Sequence, residues 1–94
     1  MRDIHVLAAY EKGYRVTEDG DVISPFGGKK RALHPTADGY LRFSIGKNGS
    51  AAVHKLAARQ WFGPFSDDLE VRHLNGQQND NRRSNLALGT RDQN

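Results

Sequence analysis

A single imidazole set among carboxamides is the chemistry that stands out in this chain. Residues 71–94 read VRHLNGQQNDNRRSNLALGTRDQN, and they hold His73 with Asn75, Asn79, Asn81, Asn85 and Asn94, five of the six asparagines in the sequence. Imidazole titrates near neutral pH and can take a proton from water. Carboxamide oxygens suit hard cations, and the same groups fix loops through hydrogen bonds. The combination points to a hydrolytic site on a hard cation. Asparagine is disfavoured inside helices and strands, because its amide competes for backbone hydrogen bonds. The short apolar pieces at 71–74 and 86–88 therefore flank a long polar loop. The coarse order is strand, asparagine-pinned loop, strand, and a turn beginning near Thr90.

The elements that must position this stretch belong to a small protein. Ninety-four residues with 36% hydrophobic content make one domain with a thin core, which a metal ion or bound partner would help to stabilise. There is no cysteine. That excludes disulfides, a thiolate zinc site and a cysteine nucleophile, and it fits a reducing compartment. The longest apolar run near the N-terminus, 6–9, is too short for a signal-peptide core or a membrane span. A cytoplasmic protein, neither secreted nor membrane-bound, is the expectation. Lys and Arg total 14 against 11 acids, a net charge of +3. That balance is compatible with nucleic acid and is also common in ordinary domains.

In chain order, 1–12 is weakly informative. Ile4, Leu7 and Ala8 have helical spacing, but a frayed leader fits as well, and His5 reads as a surface residue. Residues 13–24, GYRVTEDGDVIS, alternate on both sides of Asp19-Gly20 and read as a β-hairpin. The loop at 25–31 carries Lys29, Lys30 and Arg31, suited to a phosphate backbone or to a solvated loop tip. His34 precedes proline and is extended. After a turn at Asp38-Gly39, residues 40–45 alternate. Leu41, Phe43 and Ile45 share one face, and Tyr40, Arg42 and Ser44 share the other. Asn48-Gly49 returns the chain through 51–53. The period then changes: Val53, Leu56, Ala57 and Trp61 form a helical stripe, with Lys55 and Arg59 on another face. Gly63-Pro64 stops that helix. His54, at its start, reads as a packing or capping histidine.

At residues 71–94 the chain resembles the HNH (His-Asn-His) endonuclease family, and more narrowly the His-Asn-Asn branch of phage and intron homing endonucleases. The matching residues are His73, Leu74-Asn75-Gly76, Asn79-Asp80-Asn81-Arg82, Asn85-Leu86, Gly89-Thr90 and Asn94. VHKLAARQWFG at 53–63 is similar to the helix preceding the motif in that branch, and GYRVTEDGDVIS is similar to a small module often attached to it. The resemblance implies an α+β fold. Small antiparallel hairpins (13–53) and one helix (54–63) lead into a ββα-metal, or His-Me finger, motif (71–94), of whose last helix only the first turn lies in the chain.

The resemblance also implies metal-dependent hydrolysis of phosphodiester bonds in DNA, in the cytoplasm of a cell such as a phage-infected bacterium. His73 matches the general base. Asn94 matches a ligand to a divalent ion, Mg²⁺ or Mn²⁺, with His73 beside it. Asn85 matches the middle asparagine, which ties the loop and helps to hold the histidine. Asn81, with His54, is a structural pin. Many relatives carry aspartate before the histidine. This chain has Arg72, which has no lone pair for a metal but can clamp the scissile phosphate. Lys29, Lys30, Arg31, Arg42, Lys55, Arg59, Arg82 and Arg83 are the expected DNA contacts. Two other readings compete: a DNA-binding domain of the same fold with impaired catalysis, and a small protein-interaction module.

Overall fold

The computed structural model describes residues 3–93. The first element is a helix, α1 (Ile4–Lys12), where the sequence offered no firm assignment. The Asp3 carboxylate accepts the backbone N–H groups of His5 and Val6, both at 3.1 Å, satisfying two of the donors that a helix leaves open at its start. Gly13 ends the helix with φ 101°, a left-handed conformation suited to glycine. The buried side is Val6 and Ala9, while Ile4 is 72% exposed. The stripe of Ile4, Leu7 and Ala8 therefore pointed to the wrong face. The described residues thus hold two α-helices rather than the one expected.

Three small antiparallel sheets follow. β1 (Arg15–Val16) pairs with β2 (Val22–Ile23), with Val16 opposite Val22. β3 (His34–Pro35), β4 (Leu41–Ser44) and β5 (Ser50–Ala52) form a sheet in that order. The alternation in β4 is realised: Phe43 and Ile45 are buried, and Leu41 packs against the same core. β5 runs directly into α2 (Val53–Phe62). The last sheet pairs β6 (Leu69–His73) with β7 (Leu86–Thr90), placing Val71 opposite Leu88 and His73 opposite Leu86. A short 3₁₀ turn at Arg83–Asn85 leads into β7, and another at Arg91–Gln93 follows it.

The hub is α2, which packs against α1, β1, β4, β5, β6 and β7. Its Val53, Leu56 and Ala57 are fully buried against Val6, Val22, Phe43, Ile45 and Leu86, with Trp61 partly buried beside them. In a core this small each large side chain matters, and truncating a fully buried leucine costs about 2–5 kcal/mol. Polar contacts add register. The Gln60 side-chain oxygen accepts the Val16 N–H at 2.7 Å, and its amide donates to the Val16 carbonyl at 2.9 Å. The Tyr10 ring lies between the guanidinium groups of Arg15 and Arg59, at 4.0 and 4.4 Å. Among the described residues no helix is long and apolar enough to cross a membrane.

Candidate active site

Strand alternation and the β6–β7 register deliver His73 to the mouth of the polar loop, on the same side of β6 as the core-packed Val71. There its Nε2 lies 2.8 Å from Oδ1 of Asn81. A carboxamide oxygen can only accept, so Nε2 carries the proton and donates it. In a neutral ring that makes this bond, the lone pair lies on Nδ1. Asn81 is buried, 3% exposed. Its Nδ2 is buried too and has no hydrogen-bond partner among the described residues.

Asn85 does a different job. Its Oδ1 accepts the Asn75 N–H at 3.0 Å, and its Nδ2 donates to Asn75 Oδ1 at 2.9 Å and to the Asp80 carbonyl at 2.8 Å. Its own carbonyl accepts the Leu74 N–H. Asn75 donates to Asp80 Oδ2 at 2.8 Å. Arg82 grips the same carboxylate with both Nε and Nη2, at 2.8 and 2.7 Å. That grip holds the Asp80 carboxyl well below the usual carboxylate range. Asn85 therefore pins the loop, and Asn81 holds the histidine. The sequence reading expects Asn85 both to tie the loop and to help hold the histidine, and Asn81 to be a pin; the loop-tying part is what Asn85 does, and the contact to the imidazole comes from Asn81. Spacing alone does not distinguish them, because both asparagines lie on the same loop.

A second imidazole stands behind the first. The His54 ring stacks on Tyr40 with centroids 4.7 Å apart and lies 5.4 Å from the His73 ring; Tyr40 itself is 6.0 Å from His73. His54 is buried, and desolvation, with His73, Lys55 and Arg42 nearby, pushes its pKa down to about 3. It is a neutral packing residue at pH 7. It makes no capping bond, since α2 begins from Ala52 without a side-chain cap. Alternation over 40–45 places Tyr40 with Arg42 and Ser44, on the face opposite Phe43. Nothing in the local pattern marked it as the residue that backs both histidines. An open groove of about 630 Å³ runs beside this cluster, lined by His54, Tyr40, Arg42 and Lys55 with Asp38 and Glu70 among its acids, and His73 is not part of its wall.

The cations expected to meet phosphate are largely engaged within the chain. Lys30 pairs with Asp21 at 3.2 Å and Lys55 with Asp3 at 3.7 Å. Arg31 donates to the Ser44 carbonyl, and Arg42 donates to Ser50 through Nε and Nη2. Arg59 covers Tyr10, Arg82 grips Asp80, and Arg83 lies 3.8 Å from the Glu18 carboxylate. Lys29 is exposed on its loop. Arg72, opposite Ala87, is set by alternation on the face of β6 away from His73. Alternation therefore starts the Arg72 and His73 side chains from opposite faces of the strand.

The family model for HNH endonuclease matches residues 51–94. DNA endonuclease I-HmuI of Bacillus phage SP01 is 31% identical, over 89% of this chain and 50% of that protein. A solved structure of DNA binding and cleavage by the HNH homing endonuclease I-HmuI superposes with a TM-score of 0.70 at 30% identity, over 84% of this chain and 47% of that one. Residues 51–94 belong to the HNH endonuclease family. It spans about half the length of the curated HNH relative that it matches.

The HNH family generally uses divalent metal ions. The described donors of this HNH chain do not form a cradle for one. Arg72 has no lone pair to give. Asp80 is taken up by Arg82 and Asn75. Among the described residues no group of three or more histidines and carboxylates converges. His73 has one free nitrogen lone pair, which cannot bind an ion and take a proton at once. Asn94, the expected ligand, lies outside the described residues.

Proposed function

We propose that this chain is a DNA-cleaving HNH endonuclease domain in which His73 Nδ1 is the general base. The observation that carries this reading is the 2.8 Å contact between His73 Nε2 and Asn81 Oδ1. It gives the imidazole a fixed orientation and a fixed tautomer with Nδ1 unprotonated, the arrangement a base needs before water arrives. The family match and the likeness to I-HmuI support DNA as the substrate.

In the reaction, water bound beside Nδ1 loses a proton to it as the water oxygen bonds to phosphorus. The bond from phosphorus to the 3′ oxygen breaks. That oxygen takes a proton from solvent, leaving a 3′ hydroxyl and a 5′ phosphate. A divalent ion, Mg²⁺ or Mn²⁺, supplies neutralisation of phosphate charge when bound; the described residues offer it no cradle, and no step is assigned to it. Asn81 keeps the imidazole in place. Asn85, Asn75, Asp80 and Arg82 keep the loop rigid around it.

A plasmid nicking assay at low salt tests this. Relaxation of supercoiled DNA that needs Mg²⁺ or Mn²⁺, stops with EDTA and disappears in His73→Ala is the expected result. The position of Arg72 favours a second reading, a DNA-binding domain with impaired catalysis. Under that reading the plasmid stays intact while its mobility shifts. A chain that neither cuts nor binds DNA at low salt, where phosphate contacts are strongest, fits a protein-interaction module instead.

A further inference from the structure

The turn between β1 and β2 lies far from His73 in sequence, yet it bears on the loop that holds His73. Gly20, at φ 95°, is buried. A Cβ there would lie 3.1 Å from the Asn81 carbonyl carbon and 3.3 Å from both the Asn81 oxygen and the Arg82 nitrogen. These are backbone atoms, which cannot swing aside as a flexible side chain can. The Arg83 N–H donates to the Glu18 carbonyl at 2.9 Å. The hairpin thus meets the loop at two successive points. The hairpin is itself tied to α2 through the paired bonds between Gln60 and Val16. Gly39 offers a contrast: a Cβ there would meet Gln78 Oε1 at 2.9 Å, the far end of a side chain that can move.

The Asn81 side chain makes one hydrogen bond, to His73, and its Nδ2 has no partner among the described residues. No hydrogen bond on the amide's far side helps to set where Oδ1 sits, so its place follows from the Asn81 backbone and the packing around the buried side chain. We infer that Gly20 is a positioning residue for His73: its bare α-carbon lets the hairpin turn close against Asn81 and seat Oδ1 on His73 Nε2. This rests on the reading of His73 as general base. A carbon added at position 20 displaces the Asn81 backbone by a few tenths of an ångström, lengthens the contact with Nε2 and frees the imidazole to rotate and change tautomer. Small misplacements of this kind cost rate rather than substrate affinity.

The test uses Gly20→Ala and Gly20→Asn, because asparagine tolerates positive φ better than other residues that carry a Cβ. Gly27→Ala is the control: its φ is 78°, and no atom lies within 4 Å of the added carbon. Two readouts are needed. One is kcat and KM for nicking of supercoiled plasmid with Mg²⁺; the other is the ¹⁵N spectrum of the His73 ring in the free protein. The expected result is a roughly tenfold to hundredfold fall in kcat at nearly constant KM for both Gly20 variants, with the ring shifting from the Nε2–H tautomer to a mixture, while Gly27→Ala matches the parent in both. Folded Gly20 variants with parental kcat and an unchanged ring spectrum overturn the inference. So do Gly20 variants that fail to fold while Gly27→Ala folds, since the contact is then a requirement of folding. If the parent protein does not cut DNA, the endonuclease reading fails on its own, and the ring spectrum still decides whether Gly20 sets the imidazole.

Discussion

Nε2 of His73 and Oδ1 of Asn81 meet at 2.8 Å across a loop that a different asparagine, Asn85, holds closed. Substitution should therefore separate the two residues. Asn81→Ala removes the imidazole's orienting acceptor and is expected to lower the cleavage rate by about 10–100-fold with little change in melting temperature. Asn85→Ala strips partners from the Asn75 amide and the Asp80 carbonyl and is expected to cost about 2–4 kcal/mol of stability. Rates and denaturant unfolding measured on both variants check this. A stable Asn85→Ala without activity, beside a fully active Asn81→Ala, would return the histidine to Asn85.

Strand alternation starts Arg72 and His73 from opposite faces of β6, and Arg72 is expected to meet a phosphate other than the one beside His73. Arg72→Ala should reduce the slope of log affinity against log salt by about 0.9, the release from one phosphate contact. It should raise KM and leave kcat near the parental value. A collapse of kcat at unchanged KM would place the guanidinium on the scissile phosphate after all.

His54 makes folding sensitive to acid. Its folded pKa, about 3, lies below the unfolded value of about 6.5. Between those values the unfolded chain binds the extra proton. The stabilisation is therefore complete above about pH 6.5 and is lost progressively as the pH falls towards 3. At about pH 4.5, two units below the unfolded value, the loss should be about 2–3 kcal/mol. His54→Phe removes the titration while keeping a ring on Tyr40, and it should flatten this part of the pH profile. Equal acid sensitivity in the parent and in His54→Phe, measured by denaturant unfolding, would assign the effect to other groups.

Gln60 is the stitch between α2 and the hairpin that carries Gly20. Gln60→Leu removes both bonds to Val16 and leaves a backbone N–H and carbonyl without them, at an expected cost of about 1–3 kcal/mol. Amide hydrogen exchange should speed up at Val16 in particular. Unchanged protection there would mean that the sheet holds β1 without help from the helix.

Much of the architecture was legible because it depends on local periodicity and turn chemistry. Asp19-Gly20 turned a hairpin, β4 alternated, α2 showed its stripe, and Gly63-Pro64 stopped it. The polar loop between two short strands followed from where asparagine cannot sit. α1 stays open between helix and frayed leader in the sequence because its burial depends on α2: a nine-residue segment with two fully buried side chains, Val6 and Ala9, carries little amphipathic signal of its own.

Residue types and spacing alone single out the candidate base and its company: one imidazole, an asparagine-rich loop and a strand to either side. Which asparagine touches the imidazole was decided by the tertiary structure, because the loop's path from Leu74 to Asn85 depends on a network of bonds closed across ten residues. The same holds for Tyr40 behind the two histidines, for the carboxylate of Asp80 that Arg82 and Asn75 occupy, and for Gly20 against the Asn81 backbone. Local preference acts over a few residues. These contacts join segments that come together only when α2 draws the three sheets onto one core, and only there do burial and hydrogen-bond geometry choose between residues of the same type.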